Sequence, residues 1–152
     1  MGSPSEDFVI RAMTVEYAGA LAALESRCAG AARWGEVGYR NIGAGGIVGW
    51  AAVRGNVVVG FVLTRAVADE MEILNLVVDP MARRKGIAVR LLARAIEEVK
   101  GADVKRVYLE VRESNSTARA FYLSRGFAEQ GRRKNYYSQP VEDALLLVLV
   151  LC

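Results

Sequence analysis

The sequence predicts one domain of the α/β (α+β) class, in which helices flank both faces of a mixed, mostly antiparallel sheet. Three β patterns follow one another over residues 47–78, and an amphipathic helical pattern begins near Gly86. Further strand patterns follow that helix. A chain of 152 residues is long enough for one core and too short to expect two. We therefore expect a single domain over residues 1–152, with residues 1–6 as a flexible tail.

The first part of the chain contains one predicted strand and one predicted helix. The strand covers residues 8–11, and Thr14 is a candidate helix N-cap. Apolar residues then recur on one side, and Gly30 suits the end of this helix. Glycine and alanine dominate residues 29–46, which indicates a loop or broken helices. A loop of this length is either a binding element or a plain connection, and the pattern leaves both open.

The three β patterns are predicted to pair antiparallel in sequence order. Residues 47–54 and 57–65 are rich in β-branched side chains and flank Gly55-Asn56, a pair typical of a tight hairpin turn. The third strand covers residues 70–78. It ends at Asp79-Pro80, because proline has no amide donor for a strand ladder.

The C-terminal half is predicted to contain two helices and three strands. In the helix after Gly86, apolar residues recur every three to five positions and charged residues occupy the other face. Residues 104–112 alternate apolar and polar side chains as a half-buried strand does, and residues 116–125 form a short helix. The last two strands are predicted over residues 127–133 and 143–150, joined by a loop that contains Tyr136, Tyr137 and Pro140.

Composition limits the chemistry that the chain can perform. It has no histidine, which excludes a histidine base and a zinc site, and its two cysteines do not form a disulfide framework. The formal net charge of +3 suggests an anionic ligand without suggesting nucleic acid. No apolar run approaches the roughly 20 residues of a membrane span, and the polar start does not resemble a signal peptide. We expect a cytoplasmic protein with no metal, no membrane contact and no direct nucleic-acid contact.

The start of the helix near Gly86 has the features of an anion site. The first amides of a helix lack intrahelical partners and carry the positive end of its dipole. Arg83, Arg84 and Lys85 precede the helix, while Gly86 and Ala88 leave its backbone accessible to a phosphate group. Taken alone, this stretch favours a basic turn that opens a surface helix. Its position directly after a strand favours a diphosphate site.

The stretch over residues 83–88 resembles the acyl-CoA loop of the GNAT family, the GCN5-related N-acetyltransferases. That loop has the signature Gln/Arg-x-x-Gly-x-Gly/Ala between a strand and a helix. Residues 109–115 and 120–127 resemble later motifs of the family, and residues 133–137 with 142–144 narrow the resemblance to its RimI-like branch, the protein N-terminal alanine acetyltransferases. The resemblance implies the GNAT acyl-CoA N-acyltransferase fold, with acetyl-CoA as co-substrate.

The same resemblance assigns residues to acetyl-CoA. It implies a sheet that splits near Val78 and Val107 to admit the pantetheine arm, and a backbone amide near Val78 that polarises the thioester carbonyl. Asn115 is implied as a further contact, although its position suits a helix N-cap equally well. The implied cofactor-binding residues are Leu76, Val77, Val78, Arg83, Arg84, Lys85, Gly86, Ile87, Ala88, Val89 and Asn115.

Acetyl transfer to an amine needs a base for the amine and a proton for the departing thiolate. Glu110 lies in mid-strand between apolar neighbours, where partial burial raises a carboxyl pKa. Tyr122 carries a phenol with a pKa of roughly 10. The resemblance implies that Glu110 is the base and Tyr122 the acid. Without it, Glu110 is a solvated strand residue and Tyr122 is a core residue.

An N-terminal α-amine is the favoured acceptor on energetic grounds. At pH 7, deprotonating an α-amine of pKa ~7.8 costs about 1 kcal/mol, against about 4.6 kcal/mol for a lysine of pKa ~10.4. The resemblance implies an acceptor protein with an N-terminal alanine, such as a ribosomal protein, bound by Tyr136 and Tyr137. The alternatives are an acetyltransferase for a small-molecule amine and a non-catalytic acetyl-CoA-binding regulator.

The transfer is expected to be direct, within a ternary complex of enzyme, acetyl-CoA and acceptor. A free amine is already a competent nucleophile, so no covalent enzyme intermediate is required. Cys28 and Cys152 lie outside the motifs, and neither is expected to carry the acetyl group. We expect a monomer or a weak dimer.

Overall fold

Seven strands form one mixed sheet in the computed structural model, which describes residues 7–28, 31–32, 34–83 and 85–151. The strands are β1 (Val9–Ala12), β2 (Ile47–Arg54), β3 (Val57–Val67), β4 (Glu70–Val78), β5 (Arg106–Arg112), β6 (Ala128–Ser138) and β7 (Val141–Val150). Their order in the sheet is β1-β2-β3-β4-β5-β7-β6. The helices are α1 (Ala18–Ser26), α2 (Gly35–Tyr39), α3 (Ile87–Lys100) and α4 (Ser116–Ser124), and short 3-10 turns lie at Val15–Tyr17 and Pro80–Ala82.

The pairing of β4 with β5 is the feature of the sheet that positions the site. It is parallel, whereas the other strand pairs of the described residues are antiparallel. Residues 70–72 of β4 pair with residues 106–108 of β5, and beyond Tyr108 the strands diverge. The split predicted near Val78 and Val107 therefore begins after Glu72 on β4, earlier than predicted, and after Tyr108 on β5, since Val107 still pairs with Met71.

A β-bulge in β4 determines which side chains face each side of the sheet. Thr64 of β3 pairs with Ile73 and Leu63 pairs with Asn75, so Leu74 is the extra residue. A bulge reverses the alternation of side chains beyond it. Ile73 and Leu76 accordingly pack with the same core although they are three positions apart, while Leu74 packs with the core on the opposite face.

Helices cover both faces of the sheet, as predicted. On one face, α3 buries an apolar stripe at the predicted spacing, and Tyr122 of α4 joins the same core. On the other face, α1 and α2 pack Leu21, Leu24 and Tyr39 against Phe61 of β3. The buried stripe of α3 consists of Ile87, Leu91, Leu92, Ala95 and Val99.

The predicted elements agree best with the structure in the middle of the chain, and the predicted fold class is confirmed. The predicted strands over 47–54 and 70–78 have the observed bounds, and the strand predicted over 57–65 continues to Val67. Thr14 is the N-cap residue of the first 3-10 turn, but its side chain makes no capping hydrogen bond. Helix α1 ends at Ser26, and Gly30, its predicted end, lies outside the described residues.

The C-terminal hairpin is longer than predicted. Tyr136 and Tyr137 lie in strand β6 and not in a loop, and β7 already begins at Val141. Most of β6 is exposed, so its charged side chains give no alternating pattern that a sequence analysis can detect. The register also shifts between Arg133 and Tyr137, around Asn135 with its φ of 52°.

Candidate active site

The divergence of β4 and β5 opens a cleft with a volume of about 800 Å³. The end of β4 lines one side of this cleft, α4 lines the opposite side, and the start of α3 lines one end. Nine of the residues predicted to bind acetyl-CoA line this larger cleft: Leu76, Val77, Val78, Arg83, Gly86, Ile87, Ala88, Val89 and Asn115. Lys85 is exposed and is not part of the lining, and Arg84 lies outside the described residues.

The start of α3 presents free backbone donors to the larger cleft. Gly86 is the N-cap residue, with a left-handed φ of 78°, and as a glycine it has no side chain to cap the helix. The amide of Arg90 is the first to bond within the helix, to the Gly86 carbonyl at 3.0 Å. A side chain at Gly86 would meet no atom within 4 Å, so the space beside the first-turn amides is open to a ligand. This geometry suits an anion.

A second cleft of about 370 Å³ adjoins the first on the other side of α4. The end of β5 and the bulged part of β4 line it, together with Tyr137 of β6. The two clefts share the residues Ala31, Leu76, Asn115, Ala118 and Tyr122. A ligand in one cleft and a ligand in the other can therefore meet at these shared residues.

Glu110 presents a partly buried carboxylate to the smaller cleft. Its side chain is 16% exposed, and its Oε1 lies 3.2 Å from Nε of Arg133. Its Oε2 is buried and has no hydrogen-bond partner among the described residues. Burial raises the pKa of the Glu110 carboxyl, the Arg133 guanidinium opposes that shift and the Glu72 carboxylate adds to it. The unpaired oxygen is suited to accept a proton at the cleft.

Tyr122 lines both clefts and also belongs to the core. Its ring packs edge-to-face against Phe121 and Phe127, with ring centroids 5.2 Å apart in each pair. The side chain is buried, and burial raises the pKa of its phenol well above the usual range. The phenol therefore keeps its proton at neutral pH. The core position and a position at the cleft junction are compatible.

Asn115 is a helix N-cap and a cleft residue at once. Its Oδ1 accepts a hydrogen bond from the Ala118 amide at 3.1 Å, which caps α4. The side chain also lines both clefts. Both functions proposed from the sequence are therefore geometrically available to different atoms of one side chain.

Of the two tyrosines predicted to bind the acceptor, Tyr137 lines the smaller cleft and Tyr136 does not. The two rings pack edge-to-face with centroids 5.1 Å apart. The guanidinium of Arg112 lies 4.2 Å above the Tyr137 ring and 3.2 Å from a carboxylate oxygen of Glu142. Tyr136 is half exposed, on the rim of the hairpin.

Sequence reasoning missed several residues that line the smaller cleft. Ala31 and Ala32 come from the segment between α1 and α2, which the sequence left open as a binding element or a connection. Asn75 was also missed. A single amide side chain within an apolar strand is a usable signal, because a buried amide needs hydrogen-bond partners elsewhere in the fold. Cys28 lines the larger cleft, even though it lies outside the recognised motifs.

In the described part of the chain, no group of three or more His, Cys, Asp or Glu side chains is placed to hold a metal ion. Among the described helices, none combines the length and the hydropathy needed to cross a bilayer.

Similarity to solved structures extends over nearly the whole chain. The crystal structure of the ribosomal-protein-S18-alanine N-acetyltransferase from Escherichia coli superimposes with a TM-score of 0.84 at 30% sequence identity, covering 95% of this chain and 94% of that one. Arabidopsis thaliana NAA60 in complex with a bisubstrate analogue superimposes with a TM-score of 0.86 at 22% identity, covering 95% and 98% of the two chains. The second similarity concerns the fold alone.

Sequence relatives point to the same family. A [ribosomal protein bS18]-alanine N-acetyltransferase from Salmonella typhimurium is 42% identical over 91 residues, which are 59% of this chain and 62% of that relative. The match thus spans less than two thirds of that relative's length. A protein of the same name from Haemophilus influenzae is 36% identical over 100 residues, 66% of this chain and 68% of the relative. Residues 19–127 match the acetyltransferase (GNAT) family, and this chain belongs to it.

Proposed function

We propose that this chain transfers the acetyl group of acetyl-CoA to the N-terminal α-amine of a protein, and that its acceptor is a ribosomal protein with an N-terminal alanine. One observation carries the proposal: a cleft with free helix amides and a cleft with an unpaired carboxylate oxygen meet at Tyr122. The names of the Salmonella and Haemophilus relatives and of the E. coli structure support this acceptor. The proposed compartment is the cytoplasm, where ribosomal proteins are made.

The larger cleft suits coenzyme A in shape and charge. The uncapped amides at the start of α3 and the adjacent Arg83 suit its diphosphate. The backbone of Leu76, Val77 and Val78 runs along the same cleft, where strand groups can pair with the amides of a pantetheine arm. Acetyl-CoA supplies the activated acetyl thioester, and the residues of the chain orient it and move the protons.

Glu110 is the proposed base. The incoming α-amine is protonated at neutral pH, and the unpaired Oε2 of Glu110 accepts that proton directly or through a water molecule. Arg133 binds the other oxygen and so leaves Oε2 as the free acceptor. Partial burial makes the carboxylate a stronger base than a solvated glutamate. An α-amine is also easier to deprotonate than a lysine amine, because its pKa is lower.

Tyr122 is the proposed acid. The presence of Tyr122 in the lining of both clefts supports this role, in which its phenol reaches the sulfur that leaves when the new amide bond forms. As the C–S bond breaks, the leaving thiolate takes the phenol proton. The second proton, which the nitrogen loses on becoming an amide, returns to the phenol through solvent, and Glu110 releases its proton to solvent. The edge-to-face contacts with Phe121 and Phe127 hold the ring in place for this transfer.

Direct transfer is favoured over an acetylated enzyme, even though Cys28 lines the larger cleft. Burial raises the pKa of the Cys28 thiol, with smaller opposing contributions from Arg83 and Arg27. The thiol also lies 3.5 Å from the Val78 carbonyl, to which it donates. A buried, protonated thiol is a poor nucleophile. We therefore infer that the α-amine attacks the thioester itself.

The peptide end of the acceptor is proposed to lie in the smaller cleft. Tyr137 lines that cleft and is held by the Arg112 guanidinium above its ring, so its position is fixed before the acceptor binds. Tyr136 is proposed to contact the acceptor farther out, at the rim. We further propose that the protein acts as a monomer or weak dimer without direct contact to nucleic acid.

The acceptor class can be tested with two peptides of otherwise identical sequence, one with a free N-terminal alanine and one with a blocked N-terminus and an internal lysine. We expect acetylation of the first and at least 100-fold slower acetylation of the second, a ratio within the ~3.6 kcal/mol difference in deprotonation cost. Mass spectrometry measures both products. Turnover of a polyamine or an amino sugar with both peptides inert would establish the small-molecule alternative. Saturable acetyl-CoA binding without any transfer would establish the regulator.

The phosphate site can be tested with Gly86→Val and a matched control, Gly55→Val. Both glycines have left-handed φ angles, 78° and 62°, and in both places an added side chain meets no atom within 4 Å. The two variants therefore carry similar backbone strain, but only Gly86 lies beside the larger cleft. We expect the calorimetric dissociation constant for acetyl-CoA to rise about tenfold or more in Gly86→Val, a loss of about 1.4 kcal/mol, and to stay unchanged in Gly55→Val. Equal acetyl-CoA affinities in the two variants would contradict a phosphate site at the start of α3.

The proton-transfer roles can be tested with Glu110→Gln and Tyr122→Phe. Each is expected to keep acetyl-CoA affinity and to lower kcat by roughly 10²–10⁴-fold, the usual contribution of a general acid or base. Because the carboxylate is the active form, kcat/KM of the wild type should fall as the pH drops through the raised pKa of Glu110, and Glu110→Gln should lose this dependence.

The matched controls are Glu129→Gln, an exposed glutamate of β6, and Tyr108→Phe, a tyrosine of β5 outside both clefts. Both should retain near wild-type kcat. If Glu110→Gln and Tyr122→Phe also retain it between pH 6 and 9, Glu110 is a strand carboxylate and Tyr122 a core side chain without catalytic roles.

A further inference from the structure

A chain of buried polar side chains extends from the lining of the smaller cleft into the core and takes no part in the proposed chemistry. It consists of Glu25 of α1, Tyr39 of α2 and Asn75 of β4, which are 4%, 0% and 6% exposed. Buried polar groups destabilise a fold unless they are hydrogen-bonded, so such a chain has a definite set of partners.

The Glu25 carboxylate holds the start of α2. One oxygen accepts hydrogen bonds from the Trp34 amide and from the Tyr39 hydroxyl, the latter at 3.1 Å. The other oxygen accepts one from the Gly35 amide at 3.1 Å. These amides have no partner within such a short helix, and the carboxylate supplies one.

Asn75 holds the backbone of Ala32 by both of its polar groups. Its Oδ1 accepts from the Ala32 amide at 3.3 Å, and its Nδ2 donates to the Ala32 carbonyl at 3.1 Å. The same Nδ2 donates to the Tyr39 hydroxyl at 3.0 Å, which joins Asn75 to Glu25. The bulge at Leu74 sets the strand so that Asn75 faces this side of the sheet.

The segment held in this way forms a wall of both clefts. Ala31 lines the two clefts where they meet, and Ala32 lines the smaller one. Ala31 packs against the core on this face of the sheet, whereas Ala32 is exposed and is held by its two hydrogen bonds to Asn75. A wall fixed by a fully paired polar network moves little, because moving it would leave buried groups without partners.

We propose that Glu25, Tyr39 and Asn75 are positioning residues that fix the wall formed by Ala31 and Ala32 and thereby select acceptors with a small first residue. The inference rests on the proposed function, since it concerns the acceptor of the same reaction. A pocket distinguishes side chains that differ by a methyl group or two by about 10- to 200-fold in kcat/KM, provided that its walls do not yield. The network supplies that rigidity.

The test uses Tyr39→Phe and two peptides that differ only in their first residue, alanine or valine. The variant removes one hydroxyl, while the ring keeps its edge-to-face contact with Phe61 at 5.4 Å. We expect the KM for the alanine peptide to rise about tenfold, or about 1.4 kcal/mol, because the variant loses both hydrogen bonds of the Tyr39 hydroxyl, which join Asn75 to Glu25. The ratio of kcat/KM for alanine over valine should fall at least threefold. The acetyl-CoA dissociation constant and kcat should stay within twofold of wild type.

The matched control is Thr64→Val, which removes another buried hydroxyl from the same sheet. Thr64 Oγ1 donates to the Val48 carbonyl at 3.3 Å and lines neither cleft. Both variants should lose stability through lost buried hydrogen bonds, one in Thr64→Val and two in Tyr39→Phe, but only Tyr39→Phe should change the KM and the alanine-to-valine ratio. If Tyr39→Phe changes neither, the network is structural only and the inference is overturned.

A second variant covers the case in which Tyr39→Phe does not fold. Asn75→Asp keeps an oxygen for the Ala32 amide and loses both donated hydrogen bonds, so it should change the KM and the ratio in the same direction. Unchanged values in a folded Asn75→Asp would overturn the inference. The proposed function fails separately, if the wild type acetylates neither peptide.

Discussion

The short parallel pairing of β4 with β5 is the constraint on which the rest of the site depends. After three residue pairs the two strands separate, so the inner edge of each strand has backbone groups without a neighbouring strand. Backbone N–H and C=O groups need partners, and a ligand with amide groups can supply them. Tyr122 of α4 and Asn115, its N-cap residue, line both of the clefts that form at this separation. One irregularity of the sheet thus produces two binding clefts and their junction.

The charged and polar groups of the two clefts lie where the proposed chemistry needs them. At one end, the start of α3 offers uncapped amides to an anion. At the other end, a carboxylate of raised pKa faces the place of the amine, with Arg133 bound to one oxygen. Between them, Tyr122 remains neutral because it is buried. This arrangement needs neither a histidine, which the chain lacks, nor the buried thiol of Cys28.

How far the sequence predicts the structure depends on the range of the interactions involved. Strands β2 to β4 and helix α3 follow local signals, namely alternation, the Gly55-Asn56 turn and a helical stripe, and they were predicted to within a few residues. The cofactor loop was found from a contiguous motif. The bulge at Leu74 and the pairing of Asn75 with Ala32 have no local signal, because they arise when distant segments pack. The exposed strand β6 was predicted too short for a different reason, since an edge strand without a buried face has no alternation to detect.

The central claim is that this chain acetylates protein N-termini by means of Glu110. Mass spectrometry of protein N-termini tests it most directly, in cells that lack the protein and in the same cells that produce either the wild type or Glu110→Gln. We predict that acetylation of one or more N-terminal alanines, including that of a ribosomal protein, is absent without the protein, is restored by the wild type and is not restored by Glu110→Gln. Identical N-terminal acetylation in all three strains would contradict the account.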